Sequence, residues 1–204
     1  MSYSPGGFEQ ESRVNRVSKL FGTLLRELDP HPTREDLTDT PMRAARAWVE
    51  DWCSGYTIDP AALLKTFVES GRGYDQLVVV SCIPFFSSCA HHLAQISGVC
   101  HIGYLPRDRI VGLSKLPRIV DAYARRLQTQ EMLTTQIAEC VMEGLNARAV
   151  GVIMRATHGC LSSRGARVHG GLMSTAAMLG ELKDDAPMRA EFLSLCDMAE
   201  RSVK

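Results

Sequence analysis

The chain has 204 residues, of which 45% are hydrophobic and 23% are charged, and this is typical of one soluble domain with a modest extension. Its formal net charge is zero, so no global field attracts it to nucleic acid or an anionic membrane, and any anion site must be local. No apolar run approaches the roughly 20 residues that a membrane-spanning helix needs.

The N-terminal residues and the cysteines favour a cytoplasmic location. Residues 1–12 carry polar residues, glycines and acids where a signal peptide would have a charged segment followed by an apolar one. The seven cysteines are odd in number and show no small-domain disulfide framework. We expect most of them to be small buried hydrophobic residues, with Cys89 and Cys160 as the exceptions.

The first predicted element is a helix over residues 14–28. Residues 1–12 before it contain Pro5 and two glycines, and we expect them to be flexible. Pro30 follows the helix and ends it. The apolar residues at helical spacing, which form its predicted stripe, are Val14, Val17, Leu20, Phe21, Leu24, Leu25 and Leu28.

A second helix is predicted to begin near Thr40, with Thr40 as its N-cap and Pro41 in the first turn, and to stop at Gly55. A short helix is expected to follow over residues 60–68. The predicted buried stripe of the second helix is Met42, Ala45, Trp48, Val49 and Trp52.

Strands are predicted from residue 76 onward. Leu77–Val80 is apolar and β-branched and predicts a strand that runs toward Ser87. Residues 99–105 and 110–113 predict a hairpin with its turn at residues 106–108. The elements predicted after it are a long helix over residues 117–145, a strand over residues 150–156 and a last helix over residues 187–199. This order predicts an α+β fold, an antiparallel sheet with helices on one face.

A cluster of thiols and imidazoles predicts a zinc site. The sequence contains Ser88-Cys89-Ala90-His91-His92, and His158-Gly159-Cys160 follows later. Zinc is held by thiolate and imidazole, and a catalytic zinc keeps one position open, so Cys89, His92 and Cys160 would supply three ligands. His91 and His158 would remain as free bases, which favours a catalytic site over a structural one. The alternative is core cysteines and surface histidines.

A group of cations predicts an anion site. Gly112-Leu113-Ser114-Lys115 is expected where a strand ends and a helix begins, a position that suits an anion. The sequence has no Walker loop. Gln130-Glu131 pairs an amide with a carboxylate, which can read the N–H edge of guanine. The other cations are Arg118, Arg125, Arg126, Arg164 and Arg167, and the alternative interpretation of the whole group is a solvated helix face.

Together these motifs resemble the GTP cyclohydrolase I family in order and spacing. The resemblance covers about residues 36–180 and is carried by the two Cys/His motifs, by residues 112–120 and 124–131, and by Thr40-Pro41-Met42-Arg43 and Ser54-Gly55-Tyr56. It implies a T-fold, a toroidal homodecamer and active sites between subunits. With the elements predicted above, it divides the chain into a flexible N-terminus (residues 1–12), a helical N-terminal region (13–70) and a T-fold catalytic domain (71–204).

The resemblance further implies a role for each matching residue. Cys89, His92 and Cys160 would hold Zn²⁺, His91 and His158 would be the acid–base residues, and GTP would be the substrate. Ser114 would lie near the ribose, and Glu131 with Gln130 beside it would hold guanine. The residues expected to face the triphosphate, some from a neighbouring subunit, are Lys115, Arg118, Arg164 and Arg43.

The sequence departs from the family pattern in three places. Ala90 stands where the family usually has Glu, Gly159 replaces a bulkier residue and is expected to loosen its strand, and residues 168–171 are glycine-rich. Two other functions therefore stay open at this point. One is a relative that stops at the ring-opened formamidopyrimidine or feeds a deazapurine pathway, and the other is a non-catalytic zinc T-fold binding protein. A nucleobase deaminase is disfavoured because H-x-E and P-C-x-x-C are both absent.

Overall fold

A computed structural model describes residues 7–67 and 73–203. The chain forms two compact units, Met1–Ile58 and Asp59–Lys204. The segment predicted to be flexible, residues 1–12, lies partly outside the described residues, and the first helix begins within it at Gly7. None of the described helices has both the length and the apolar character needed to cross a membrane.

The first unit is helical, as predicted. Its helices are α1 (Gly7–Leu28) and α2 (Thr40–Arg46), and α2 continues as a π-helical turn (Ala47–Trp52). The short 3₁₀ segments are Glu35–Leu37 and Ser54–Thr57. Its buried core is Val14, Ala45 and Val49, with Val17, Phe21 and Met42 packed against it.

Three details of the first unit differ from the prediction. Asp39 is the N-cap residue of α2, and Thr40 is already helical. Trp52 is exposed because the widened π-helical turn moves it off the 3.6-residue spacing of the stripe. Leu20, Leu24 and Leu28 are also exposed, which leaves an apolar stripe on α1 that the core of its own unit does not cover.

The second unit is built on a five-stranded sheet. Its strands are β2 (Val78–Cys89), β3 (Gln95–Leu105), β5 (Leu127–Gln128), β6 (Ala149–His158) and β7 (Met173–Gly180). They lie in the order β5-β2-β3-β6-β7, and neighbours are antiparallel except for the short β5, which is parallel to β2. The predicted strands at residues 77–87, 99–105 and 150–156 are confirmed, whereas β7 was not predicted.

The predictions for residues 60–68 and for the hairpin are wrong. In place of a helix at residues 60–68 there is a 3₁₀ turn (Ala61–Leu63) and β1 (Thr66–Phe67), and Val68 lies outside the described residues. The predicted hairpin does not form, because β4 (Ile110–Val111) pairs with β1 while β3 pairs with β2 and β6. Strand propensity does not specify the partner, which depends on packing against the rest of the fold.

Helices cover both faces of the sheet. On one face α3 (Lys115–Ala124) and α4 (Gln130–Leu145) pack on Ile102, Tyr104 and alternate residues of β6. On the other face α6 (Glu181–Asp184) and α7 (Ala186–Val203) pack on the intervening residues. The predicted helical layer is confirmed on the face that α3 and α4 cover. The opposite face, which was predicted to have no helices, is covered by α6 and α7.

Two glycines explain how α7 approaches the sheet. Gly103 and Gly151 are partners on β3 and β6, and the ring of Phe192 lies directly over both. A Cβ atom at either position would come within 2.6 Å of that ring. The flat aromatic side chain therefore needs glycine on two neighbouring strands.

The predicted long helix over residues 117–145 is broken into α3 and α4. Between them, β5 adds two residues to the edge of the sheet beside Ser88 and Cys89. Thr129 then caps α4 by accepting a hydrogen bond from the Met132 backbone N–H at 3.4 Å. No proline or glycine marks the break, so Thr129 is the only local signal for it.

Candidate metal centre and active site

A tight turn at the end of β2 orients the first two candidate metal ligands. The Cys89 backbone N–H donates to the Ala94 carbonyl at 2.8 Å, and Leu93 N–H donates back to the Cys89 carbonyl at 2.8 Å. Leu93 closes the turn in the left-handed region, with φ of 55°. The turn brings His92 back toward Cys89, as a Cys-x-x-His pair requires for binding one metal ion.

The short strand β5 holds this turn from the side. Cys89 is the β-partner of Gln128, and the Ala90 backbone N–H donates to the Gln128 carbonyl at 2.9 Å. Ala90, which replaces the usual Glu of the family pattern, therefore uses its backbone in the turn, and its methyl group is exposed. The break in the predicted long helix thus allows Gln128 to bond the turn that carries Cys89 and His92.

Cys160 reaches the same place from the end of β6. It lies in α5 (Gly159–Ser162), one turn that starts directly after His158. A Cβ atom on Gly159 would lie 3.1 Å from the Gln95 carbonyl oxygen, closer than most side chains tolerate. We expected Gly159 to loosen this strand, and the structure shows instead that glycine allows a close approach between the two turns.

The three side chains converge on one point. The sulfur atoms of Cys89 and Cys160 and a ring nitrogen of His92 all lie within 4.8 Å of one another, and they form the single such group of donors in the described part of the chain. Cys89 is buried, Cys160 half-buried and His92 exposed. Two soft thiols and an imidazole, open to solvent on one side, could hold a metal ion such as Zn²⁺.

The raised pKa of the Cys160 thiol is consistent with a role in binding a metal ion. Burial raises the pKa of the Cys160 thiol above its usual range, and the neighbouring Cys89 raises it further. The Cys160 thiolate therefore does not form readily by itself. A divalent cation would stabilise it, because metal binding displaces the thiol proton.

His158 lies beside this group and is held by α4. Its Nε2 is 2.8 Å from the Gln130 side-chain oxygen. Burial lowers the pKa of His158, and the Glu131 carboxylate opposes this shift. His91 is exposed, and its ring lies 6.3 Å from that of His92, centroid to centroid, at 81°.

Gln130 and Glu131 occupy different environments at the start of α4. Glu131 is exposed in the first turn, and its carboxylate lies close enough to His158 to raise the pKa of the imidazole. Gln130 is 1% exposed, and its side-chain nitrogen donates to the carbonyls of Met154 and Met173. The expectation that the Gln130 side chain contacts guanine is not supported by this geometry, because its amide group is already used within the chain.

The expected triphosphate-binding cations lie on several elements. Lys115 and the exposed Arg118 are in the first turn of α3, after the exposed Ser114. The positive charge of Arg164 lies close enough to Cys160 to lower the pKa of its thiol, against the larger effect of burial. Within the described residues, no carboxylate pairs with these three cations, whereas Arg125 pairs with Asp121 at 3.0 Å. Arg43 lies on α2 of the first unit, with Asp39 at 3.9 Å.

Sequence reasoning missed the residues that support the site from inside. Thr175 of β7 accepts from the Gln130 side-chain nitrogen at 3.1 Å, and the hydroxyls of Thr175 and Thr134 are 2.6 Å apart. Buried polar groups of this kind need partners, but no local motif identifies them. Only the pairing of β6 with β7 brings them to α4.

Comparisons with known proteins point to one family. A family profile described as GTP cyclohydrolase I matches residues 17–197. A GTP cyclohydrolase 1 of Nitrosospira multiformis is 52% identical over 177 residues, which are 87% of this chain and 92% of the relative. A GTP cyclohydrolase 1 of a Janthinobacterium species is 47% identical over 172 residues, covering 84% of this chain and 86% of the relative.

Among solved structures, the crystal structure of the archaeosine synthase QueF-Like in the apo form is similar with a TM-score of 0.44 and 21% sequence identity. The likeness covers 52% of this chain and 94% of that one.

Proposed function

The chain belongs to the GTP cyclohydrolase I family, and on that premise we propose that it opens the imidazole ring of GTP, releases formate and forms 7,8-dihydroneopterin triphosphate. The observation that carries this proposal is the convergence of Cys89, His92 and Cys160 beside His158. A metal site with a separate base next to it suits hydrolysis of a C–N bond, whereas a purely structural site has no use for that base.

Cys89, His92 and Cys160 would hold one Zn²⁺ ion. Bound zinc would supply a hydrolytic nucleophile at neutral pH by lowering the pKa of water. The turn at residues 89–94 and the single turn of α5 keep the three donors together, so the protein fixes the ligand geometry on short backbone segments.

His158 would deliver the protons that ring opening requires. Addition of water to C8 of guanine gives a leaving nitrogen at N7 or N9, and protonation of that nitrogen lets the C–N bond break. Burial lowers the pKa of His158, which favours a neutral imidazole that can take up and return a proton. A second hydrolysis at the same carbon releases it as formate.

His91 and Ser114 would serve the later steps on the sugar. After formate leaves, the ribose opens and undergoes an Amadori-type rearrangement, which moves protons between carbon and oxygen before the new ring closes. His91 is an exposed imidazole next to the proposed ligand His92, and Ser114 is an exposed hydroxyl in front of α3. No net oxidation occurs, so no redox cofactor is required.

Substrate binding would divide between the two ends of GTP. Glu131 would accept hydrogen bonds from the N–H edge of guanine, since it is exposed and lies near His158. The triphosphate carries several negative charges and would be bound by cationic side chains. Because the chain has no net charge, these cations must lie at the site itself. The proposed cations are Lys115, Arg118, Arg164 and Arg43.

We also propose that the enzyme is a homodecamer with active sites shared between subunits, as the family resemblance implies. The exposed stripe of Leu20, Leu24 and Leu28 on α1 supports burial against another copy.

All seven cysteines are free, which fits a reducing compartment, and we propose the cytoplasm.

Product analysis tests this function. The protein is incubated with GTP, and its products are identified by mass and by a separate assay for formate. Dihydroneopterin triphosphate with one equivalent of formate is the expected result. Accumulation of the formamidopyrimidine nucleotide would assign the chain to a relative that stops early. Unchanged GTP with a zinc-loaded protein would favour a binding function.

A further inference from the structure

The side chain of Gln130 connects three elements inside the second unit. It begins on α4, is 1% exposed, and extends between β6 and β7. Its nitrogen lies 3.1 Å from each of the Met154 carbonyl, the Met173 carbonyl and the Thr175 hydroxyl. Its oxygen lies 2.8 Å from Nε2 of His158.

The partners of Gln130 determine which way its amide group faces. Backbone carbonyl oxygens can only accept hydrogen bonds, so the atom that faces Met154 and Met173 must be the NH₂ group. The opposite orientation would place an oxygen against two oxygens. The amide oxygen therefore faces His158, and the usual ambiguity between amide oxygen and nitrogen is removed by the backbone.

The neighbouring threonines agree with this orientation. The Thr134 hydroxyl donates to the Gln130 backbone carbonyl at 2.7 Å, so its proton is not available to Thr175. Thr175 must then donate to Thr134 across their 2.6 Å contact. A lone pair of the Thr175 oxygen remains free, so the two N–H groups of Gln130 are shared among three acceptors, the two carbonyls and this hydroxyl.

We infer that Gln130 fixes the tautomer and the orientation of the neutral His158 ring, with the hydrogen on Nε2 and with Nδ1 as the unprotonated nitrogen. An amide oxygen can only accept, so the imidazole nitrogen that faces it must carry hydrogen. The inference rests on the proposed function for the role of His158, but the position of the proton follows from the hydrogen bonds alone.

Gln130 is then a positioning residue that acts through His158. The Gln130 oxygen accepts the Nε2–H hydrogen bond at 2.8 Å, and this bond holds the ring in one orientation. The amide oxygen thus fixes both the tautomer and the ring orientation. The fixed network behind it, formed by two carbonyls and two threonines, prevents the amide from turning over.

The wild-type protein gives the direct test, without substrate. Zinc-loaded protein labelled with ¹⁵N-histidine is examined by solid-state NMR at alkaline pH, and the His158 signals are assigned by their loss in His158→Asn. We expect the protonated nitrogen of neutral His158 to be Nε2. A protonated Nδ1 would overturn the inference, whatever the catalytic activity of the protein.

Two variants separate positioning from support of the fold. Gln130→Met removes the acceptor, and we expect a mixed tautomer and a kcat that is roughly 10- to 100-fold lower, with KM for GTP little changed, short of the loss expected for removing an acid–base group itself. Gln130→Glu keeps an acceptor toward His158 and should retain the Nε2–H tautomer and more of kcat than Met does.

A merely structural role makes the opposite prediction, because both variants lose the NH₂ group that bridges Met154 and Met173. A Glu variant with no more activity than the Met variant and with a mixed tautomer would therefore contradict the inference. Gln136→Met is the matched control, since it removes an amide from α4 that bonds Gln128. It should leave the His158 tautomer and kcat unchanged.

If the wild-type protein shows the Nε2–H tautomer but does not convert GTP, the proposed function fails while the assignment of the proton stands. If it converts GTP and the proton is on Nδ1, only the role of Gln130 fails. The NMR measurement and the product assay thus give separate answers.

Discussion

Cys89 ends β2 and Cys160 lies just after β6, two strands that do not pair with each other, yet the two sulfur atoms lie within 4.8 Å. β2 and β6 both pair with β3, which lies between them. The two thiols meet because each strand ends in a turn that folds over the end of β3, near Ala94 and Gln95. The candidate metal site therefore depends on these two turns as well as on the strands that they follow.

The first prediction concerns the metal. Wild-type protein should contain about one zinc ion per subunit, and Cys160→Ser should lower zinc content and activity together, as should Cys89→Ser and His92→Ala. Zinc is measured by mass spectrometry of the metal. Cys82→Ser is the matched control, because Cys82 is a half-buried cysteine outside the donor group. Full zinc content in Cys160→Ser would show that the ligand set is wrong.

The second prediction separates His158 from the metal ligands. His158→Ala should keep its zinc yet lose turnover by roughly 10²–10⁴-fold, as expected for a positioned acid–base group. Any ring-opened formamide that it still forms should accumulate, since later hydrolysis also needs protons. Steady-state kinetics and mass analysis measure both effects. His31→Ala, which changes an exposed histidine of the first unit, should have wild-type rates. A folded, zinc-loaded and fully active His158→Ala would disprove the role.

The third prediction concerns recognition of the base. Glu131→Gln should raise KM for GTP about 10- to 100-fold, because hydrogen bonds to a charged acceptor contribute about 1.5–3 kcal/mol. Initial rates over a range of GTP concentrations measure this change. Glu139→Gln changes an exposed carboxylate further along α4 and should leave KM unaltered. An unchanged KM in Glu131→Gln would remove this residue from the base-binding site.

The fourth prediction concerns pH and stability through His101. The His101 side chain is fully buried, with Nε2 2.9 Å from the Glu200 carboxylate. Burial lowers its pKa, partly opposed by Glu200 and Asp197 on α7, while Arg155 on β6 lowers it further. Below about pH 6.5 the unfolded chain takes up a proton that native His101 resists. The free energy of unfolding should therefore fall as pH drops through that value.

Urea unfolding followed by far-ultraviolet circular dichroism, at pH values from about 7 down to about 5.5, measures this dependence. His101→Gln should flatten it, whereas His169→Gln, at an exposed histidine, should not. An equally steep fall in His101→Gln would assign the pH dependence to other groups.

The fifth prediction concerns assembly. If the α1 stripe is buried against another copy, light scattering should detect a particle much larger than a dimer, and Leu24→Glu should reduce its size. Leu20 and Leu28, one helical turn away on either side, are 68% and 71% exposed within one chain. Lys19→Glu, at an exposed polar position on the same helix, is the control. A fully active wild-type monomer would contradict the shared active site.

The sequence by itself was enough to predict which donor side chains the structure brings together. Cys89, His92, Cys160 and His158 lie in two short motifs, and the residue types that bind zinc or transfer protons are few. The strands at residues 77–87 and 150–156 could also be predicted, because they are continuous apolar and β-branched runs. The resemblance then named the family that the comparisons confirmed.

Only the tertiary structure decided how Gln130 and the broken helix serve the site. The apolar period across residues 117–145 is nearly continuous, and nothing local in it shows that residues 127–128 join the sheet beside Cys89. Likewise, a glutamine next to Glu131 has the same sequence pattern whether it faces substrate or the interior. The carbonyls of Met154 and Met173 fix its direction, and these are backbone groups whose positions depend on strand pairing and not on residue identity.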